Sequence, residues 1–354
     1  MPRPGYPHGD PGRAFRAGRR SGTSRPMARR GGWRRLGRRR FRYVDARGRP
    51  VQAEAQLERI RALAIPPAWQ DVWISPNPSA DLQATGLDSA GRRQYLYSER
   101  HEELRSREKF DRLLQFARGL PTLRARAERD LRRGPYEPEW ACAIAIGVVN
   151  KAWFRVGTDR HARASRTYGV TTLRKRHVDV EGDEIRFVFR TKNRALVRRT
   201  LRSAPLAREL AHLVALDGSR LFRFEREGEL VNLTAAVLNE YIADRLGNGF
   251  TAKDFRTWGG TLVAARELAQ AGPATDEREA RRVVAGVMRA VATELGNTPA
   301  VARDAYVSPV VVDAYLAGRT LEDFRAGRRR PARLSDDERA LLRLLRASAR
   351  RRRG

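Results

Sequence analysis

Apolar side chains in the first third of the chain occur in short runs separated by turn-forming residues. Short runs bounded by Pro, Gly, Asn and Ser are typical of β-strands. A charged segment over 99–119 instead spaces its apolar residues at helical intervals, so it predicts a helix. Together these patterns predict a small α+β domain over 41–120. The predicted strands are 41–43, 72–75, 81–84 and 94–97, with a turn at 46–50.

The rest of the chain is dominated by helical periodicity. Alternation of Ile185, Phe187 and Phe189 with arginines predicts one half-buried strand. Thr251 is a predicted N-cap, and Gly296 closes a predicted helix. The predicted helices are 137–153, 205–216, 232–246, 252–270, 275–295 and one starting at 335, with further strands at 168–174 and 177–180. We therefore expect a larger, mainly helical domain with a small antiparallel sheet over 121–330, then a helix and basic tail over 331–354.

Residues 1–40 form a low-complexity segment rich in Arg, Gly and Pro, with Asp10 as its only acid. Such a segment buries too little apolar surface to fold alone, so it predicts a disordered tail. A non-specific DNA-binding arm and a dispensable extension explain it equally well. Met27 is an alternative start to Met1.

Charge narrows the choice of partner. Lys and Arg number 72 against 41 Asp and Glu, so the net charge is +31. A GC-rich genome would explain why arginine outnumbers lysine, but it would not explain why basic residues outnumber acidic ones. The usual partner of such a basic chain is nucleic acid. An acidic membrane surface is the alternative. The chain contains no run of 18 apolar residues, so no membrane span is predicted.

Other composition features limit the chemistry. Cys142 is the only cysteine, which excludes an internal disulfide framework. No His, Cys, Asp and Glu cluster has metal-ligand spacing, and there is no phosphate-binding glycine loop. A secretory signal is also missing. These features predict a cytoplasmic protein that uses no metal, nucleotide or other cofactor. With nucleic acid as the expected partner, it would be associated with the nucleoid.

Several motifs occur in one order along residues 41–325. They are IPPAW at 65–69, GRRQYLY at 91–97, FRVG at 154–157, TYGVTTL at 167–173, FRTKN at 189–193, KDFRTWG at 253–259, LGNTP at 295–299 and RDAY at 303–306. This ordered set resembles the type IB DNA topoisomerases, in particular their compact bacterial and poxvirus-like branch. The resemblance implies an α+β protein whose larger domain is tyrosine-recombinase-like.

The resemblance also implies roles for five residues. Tyr306 would attack DNA and form a 3′-phosphotyrosyl bond, and Arg155 with Arg256 would clamp the phosphate, a task that suits the planar guanidinium. Lys192 would protonate the leaving 5′ oxygen. Asn297 stands where much of the family has histidine. An amide cannot act as a titrating acid, but it can donate a hydrogen bond to phosphate.

Lysine is rare in this chain, with only five copies. Arginine almost never gives up a proton, so a catalytic acid cannot drift to arginine in an arginine-biased chain. The retention of Lys192 agrees with an acid role, although any of the five lysines can be a neutral remnant.

Candidate DNA contacts complete the expectation. They are Arg93, Gln94, Tyr95, Tyr97, Tyr168 and Lys253. Tyr95 and Tyr97 alternate with Gln94 along a predicted strand. We interpret them as contacts to a DNA groove, although an ordinary surface or core strand would show the same pattern. The expected protein is a monomeric, two-domain clamp on double-stranded DNA that relaxes supercoils. The alternatives are a tyrosine-type site-specific recombinase and a non-catalytic basic DNA-binding protein.

Overall fold

The computed structural model describes residues 31–37, 40–325 and 333–351. The chain divides into two compact units, Met1–Arg105 and Ser106–Gly354. Most of the predicted basic tail lies outside the described residues. None of the described helices is both long enough and apolar enough to cross a membrane.

The first unit is an antiparallel sheet with one helix. Its five strands are ordered β2-β1-β3-β4-β5, so β5 lies at an edge. Its elements are β1 (Trp33–Leu36), β2 (Arg42–Val44), α1 (Glu54–Ala62), β3 (Gln70–Ile74), β4 (Leu82–Leu87) and β5 (Arg93–Tyr97). A small core of Trp33, Ile60, Val72, Ile74 and Ala84 joins the helix to the sheet.

Two elements of this unit differ from the sequence prediction. β1 lies inside the segment predicted to be a disordered tail, and that prediction was wrong for 33–36. The strand is held by pairing on both sides, with β2 and with β3, and it buries Trp33. α1 was not predicted because only Ile60 among its residues is buried, which leaves a weak apolar period.

The second unit is mainly helical and contains two small antiparallel sheets, which confirms an α+β fold. Helix α2 (Glu99–Asp130) enters it from the first unit. The further helices are α3 (Pro138–Ala152), α4 (Asp159–Ser165), α5 (Ala204–Ala215), α6 (Ala235–Leu246), α7 (Ala252–Ala271), α8 (Glu277–Leu295), α9 (Pro299–Val301), α10 (Pro309–Leu316) and α11 (Asp336–Arg351). The strands are β6 (Val178–Glu181), β7 (Glu184–Arg190), β8 (Leu196–Arg202), β9 (Arg223–Arg226) and β10 (Glu229–Asn232).

The division between the two units falls between Arg105 and Ser106, near the start of α2, whereas the sequence predicted a boundary at residue 120, further along the same helix. The helix continues through Pro121, and beyond the division it buries apolar residues such as Phe116 and Leu120 in the larger core. A single helix therefore belongs to both units. Neither the proline nor the composition marks the point of division.

Helix α3 is the centre of the larger core. Most of its residues are buried around its whole circumference, and Trp140 is fully enclosed, with its indole N–H donating to Glu209 at 2.9 Å. A helix that is apolar on all sides must be covered on all sides. Its end therefore provides a rigid platform for the chain that follows.

The sheet β6-β7-β8 packs on that platform through alternate residues of β7. Phe187 and Phe189 make edge-to-face contacts with Phe154, with ring centroids 5.3 and 4.9 Å apart. This confirms the predicted strand. The strand predicted at 168–174 was wrong, because this segment forms tight turns. Its backbone N–H groups at Val170 and Thr171 donate to the carbonyls of 155 and 156, both at 2.8 Å.

The C-terminal helix α11 is tied to the core by a buried carboxylate. Glu338 accepts hydrogen bonds from Arg124 of α2 at 2.7 and 2.9 Å and from the indole of Trp258 of α7 at 3.1 Å. Arg124 also donates to Asn150 of α3. Four helices therefore meet at one ion pair.

We expect Glu338→Ala to lower the free energy of unfolding by about 3–5 kcal/mol, because it leaves the largely covered guanidinium of Arg124, whose side chain is 18% exposed, without its carboxylate. Denaturant titration measures the change. The control is Glu277→Ala, which removes an exposed pair with Arg281 and should cost less than about 0.5 kcal/mol. Equal losses in the two variants would contradict the assignment.

Candidate active site

The end of α8 organises the candidate site. Gly296 adopts a left-handed conformation (φ +61°), which a residue with a side chain rarely adopts. Its N–H donates to Thr293 O at 3.2 Å, and the N–H of Asn297 donates to Ala292 O at 2.8 Å. These two bonds form a Schellman motif. The motif satisfies the carbonyls of 292 and 293 and leaves those that follow for other donors.

Arg155 uses one of these remaining carbonyls. Its guanidinium donates to Gly296 O at 3.0 Å and also to the side-chain oxygen of Asn297. The backbone of Arg155 is held by a close approach of two chain segments, since a Cβ on Gly169 would lie 2.4 Å from Arg155 O and 2.4 Å from Gly157 N. The glycines of the FRVG and TYGVTTL motifs therefore allow the turn that presents this arginine.

Arg256 uses the neighbouring carbonyl. It lies on α7 and is only 4% exposed. It donates to Leu295 O at 2.8 Å and to the carbonyl of Trp153. Trp153 ends α3 in a left-handed conformation (φ +52°), which turns its carbonyl toward the arginine. The Nε–H of Arg256 has no partner among the described residues.

Tyr306 lies at the end of a π-helical turn, Ala302–Tyr306. Such turns are rare and are frequently found at functional sites. The guanidinium carbon of Arg256 stands 4.9 Å from the centroid of its ring. The hydroxyl of Thr261 donates to Tyr306 O and accepts from the N–H of Ser308, both at 3.1 Å. Helix α7 therefore positions both Arg256 and the tyrosine backbone.

Positive charge changes the ionisation of this tyrosine. Burial by itself raises the pKa of the Tyr306 phenol. The charge and hydrogen bond of Arg256, with further contributions from Arg155 and Lys253, outweigh burial and hold that pKa below its ordinary value. The phenolate, which is the nucleophilic form, therefore exists at lower pH than in a free tyrosine.

Asn297 is oriented by its contact with Arg155. Because its Oδ1 accepts from the guanidinium, its Nδ2 remains as the donor end, and this nitrogen is buried without a partner among the described residues. Arg256 Nε and Asn297 Nδ2 are thus two buried donors of the site without a partner among the described residues. Buried donors of this kind are costly unless something accepts from them.

The two predicted site lysines, Lys192 and Lys253, lie on different elements. Lys253 is exposed one turn before Arg256 on α7, close enough to affect Tyr306. Lys192 is exposed on the short turn Lys192–Arg194 between β7 and β8. It makes no hydrogen bond or ion pair with another described residue. The structure therefore gathers Arg155, Arg256, Asn297 and Tyr306, and presents Lys192 on a separate hairpin.

The candidate DNA contacts of the first unit lie on the edge strand β5. Tyr95 and Tyr97 share one face, with ring centroids 6.3 Å apart, and Tyr95 is 43% exposed. Gln94, on the opposite face, donates to Asp88 at 2.9 Å, and Arg93 donates to Asp71 at 3.1 Å. The tyrosine face is available to a ligand, whereas both polar side chains already have partners.

The expectation of a DNA contact at Tyr168 does not fit its position. The side chain is only 8% exposed and packs on His177 with ring centroids 4.4 Å apart. Its N–H donates to Arg190 O at 2.7 Å. The residue therefore supports the base of the hairpin that carries Lys192 from inside the core.

Sequence reasoning missed several residues that shape the site. Trp153 and Thr261 provide backbone and hydroxyl contacts that have no motif of their own. Gly259 and Gly260, in contrast, did leave a signal in the sequence. Glycine destabilises the interior of a helix, so two glycines inside a predicted helix indicate close packing there. A Cβ on Gly259 would lie 2.4 Å from the Trp153 ring, and one on Gly260 would lie 3.0 Å from Tyr306.

The arrangement suits chemistry on a phosphate diester. It combines a tyrosine of lowered pKa with two guanidinium groups that stay charged and an amide donor. Among residues 31–37, 40–325 and 333–351, no three His, Cys, Asp or Glu side chains lie close enough to hold a metal ion.

Comparison with known proteins identifies the family. The eukaryotic DNA topoisomerase I catalytic core matches residues 98–313, and the N-terminal domain of bacterial DNA topoisomerase IB matches residues 40–88. The DNA topoisomerase 1B of Acanthamoeba polyphaga mimivirus is 32% identical over 267 residues, which are 73% of this chain and 80% of the viral protein. The chain belongs to the type IB DNA topoisomerase family.

More distant relatives agree with this placement. The DNA topoisomerase 1B of vaccinia virus (strain Copenhagen) and the DNA topoisomerase I of monkeypox virus are each 20% identical over 230 residues, covering 64% of this chain and 70% of the viral proteins. The match to the type IB catalytic core contains all the motif residues from Arg155 to Tyr306. Helix α11 lies beyond it.

In this type IB topoisomerase, Gly260→Ala should displace the tyrosine. The new Cβ would lie 3.0 Å from Tyr306 Cβ, Tyr306 O and Leu295 Cδ1. We expect DNA cleavage to slow by about 10- to 100-fold, since small misplacements of reacting groups have effects of that size. The control is Gly286→Ala on α8, where the nearest atom is 3.8 Å away in a flexible arginine side chain. Unchanged cleavage in Gly260→Ala would contradict the positioning by α7.

The lowered pKa of Tyr306 can be measured by phenolate absorbance during an alkaline titration. The difference between wild type and Tyr306→Phe isolates this one phenol, and its midpoint should lie below about 10. Arg256→Gln should move the midpoint upward, because it removes the nearest positive charge, and Lys253→Met should move it less. A midpoint at or above the ordinary value in the wild type would be incompatible with the described electrostatics.

Proposed function

We propose that this protein relaxes supercoiled DNA by transient cleavage of one strand, with Tyr306 as the nucleophile. The phenolate oxygen attacks the scissile phosphorus and forms a 3′-phosphotyrosyl ester. The bond from phosphorus to the 5′ oxygen breaks, and that oxygen leaves with a proton. Religation is the reverse reaction. The ester conserves the energy of the broken bond, so no nucleotide is needed.

The observation that carries this proposal is the convergence of Arg155, Arg256, Asn297 and Tyr306 at the end of α8. A phosphate beside the tyrosine would find two guanidinium groups that form no ion pair with a carboxylate among the described residues. It would also find the unused donors Arg256 Nε and Asn297 Nδ2. Preorganised donors of this kind stabilise charge that develops on the non-bridging oxygens.

We assign the general acid to Lys192. An ammonium group can give up its proton when nearby cations lower its pKa, whereas a guanidinium group cannot. The exposed hairpin tip leaves this side chain free to enter a groove of bound DNA. Lys253 would support ionisation of the tyrosine and contact the DNA backbone.

We further propose that the first unit binds the same duplex with the tyrosine face of β5. Aromatic and cationic groups meet there, since Tyr97 stacks on His101 with centroids 4.7 Å apart and Arg105 lies 5.4 Å from its ring. With a net charge of +31, binding should weaken steeply with salt. The protein would act as a monomer. Its larger unit would share the tyrosine-recombinase architecture, as the family resemblance implies.

Relaxation of supercoiled plasmid in EDTA tests the proposal, with denaturant to trap the covalent adduct. Wild type should relax both signs of supercoiling and form an adduct. Tyr306→Phe should bind DNA but lose at least about 1,000-fold in relaxation and form no adduct. Tyr315→Phe is the matched control, because it removes a buried hydroxyl that has no described partner.

The possible results separate the alternatives. An adduct that persists in Tyr306→Phe would move the nucleophile elsewhere. An adduct formed only at a target site, with exchanged strands as products, would favour a recombinase. Binding without any adduct in the wild type would leave a non-catalytic DNA-binding protein.

A further inference from the structure

A third arginine binds the end of α8 beside the two of the candidate site. Arg199 donates to Glu294 O at 3.1 Å through Nη2 and to the Glu294 carboxylate at 2.6 Å through Nη1. Three successive carbonyls, of residues 294, 295 and 296, thus accept from Arg199, Arg256 and Arg155 in turn. Unpaired carbonyls and the negative end of the helix dipole both favour cations there.

Arg199 belongs to the hairpin that carries Lys192. On β8 the residues Val197, Arg199 and Leu201 face inward, and Arg198 and Thr200 face outward. An inward position on such a strand is normally apolar. The only charged group on this inward row is therefore the one that reaches α8.

Beside β8 lies an open pocket rather than packed core. This pocket of about 120 Å³ lies between the hairpin and the ends of α3 and α8. Its lining includes Phe189, Val197, Trp153 and Leu295, together with Arg155 and Arg256 of the candidate site. Strand β7 is anchored by Phe189 on Phe154 and by the bond from Tyr168 N–H to Arg190 O. On β8 the corresponding polar anchor is Arg199.

We propose that Arg199 is a positioning residue for the general acid. By joining β8 to the same helix end that holds Arg155 and Arg256, it sets the place of Lys192 relative to the scissile phosphate. The proposal rests on the proposed function, since it requires Lys192 to deliver the proton. Arg199 itself does not touch the substrate.

The test uses single-turnover cleavage by the full chain on two otherwise identical duplexes, one normal and one with sulfur in place of the bridging 5′ oxygen. Sulfur leaves as a thiolate without a proton, because the pKa of a thiol, about 8.5, is far below that of an alcohol. A defect in proton delivery therefore disappears on the sulfur substrate, whereas a defect in phosphate binding or folding persists.

We expect Arg199→Met to cleave normal DNA about 10- to 100-fold more slowly than wild type. On the sulfur substrate its cleavage rate should approach that of wild type. Lys192→Ala should behave in the same way with a larger loss, and Arg256→Ala should stay slow on both. Arg202→Met is the control, since it removes an exposed arginine from the far end of β8 and should remain within about twofold of wild type.

A second variant protects the test against a folding defect in Arg199→Met. Glu294→Ala keeps the backbone acceptor but removes the carboxylate, so it should give a smaller loss that sulfur also restores. The double variant should be no slower than Arg199→Met alone, because both changes act on one contact.

The outcomes distinguish this inference from the proposed function. If sulfur restores Lys192→Ala but neither Arg199→Met nor Glu294→Ala, the positioning role is wrong and the function stands. If sulfur does not restore cleavage by Lys192→Ala, Lys192 is not the general acid, and the positioning role of Arg199 is wrong with it.

Discussion

The C-terminus of α8 is the constraint on which the candidate site depends. The Schellman motif at Gly296 closes the helix and exposes three carbonyls to solvent or to donors. Guanidinium groups from three separate elements occupy them: the segment after α3, the strand β8 and helix α7. Because the acceptors of Arg155 and Arg256 are neutral oxygens, no carboxylate compensates the charge of either arginine. The same charge acts on Tyr306 and would act on a bound phosphate.

Much of the fold could be predicted from local pattern. The helix predicted at 252–270 is Ala252–Ala271, and the one predicted at 275–295 is Glu277–Leu295, because caps and apolar periods are local signals. Prediction failed where distant segments decide the structure. The strand at 33–36 exists through pairing with two other strands, and the turns at 168–174 exist through bonds to residues 155 and 156.

The candidate site was predicted in part. The motifs identified Arg155, Arg256, Asn297 and Tyr306, which the structure places together. They did not identify the acceptors, because main-chain carbonyls leave no trace in side-chain identity. For the same reason nothing distinguished Arg199 among 67 arginines. Paired glycines inside α7 were the one local signal of tight packing against the tyrosine.

Main-chain acceptors make the site depend on the length of α8 more than on its side chains. Substitutions at 294 and 295 leave the carbonyls in place. Insertion or deletion of one residue would rotate the end of the helix by about 100° and turn every acceptor away from its arginine together. In related chains, this helix should therefore tolerate substitutions but rarely contain an insertion or a deletion.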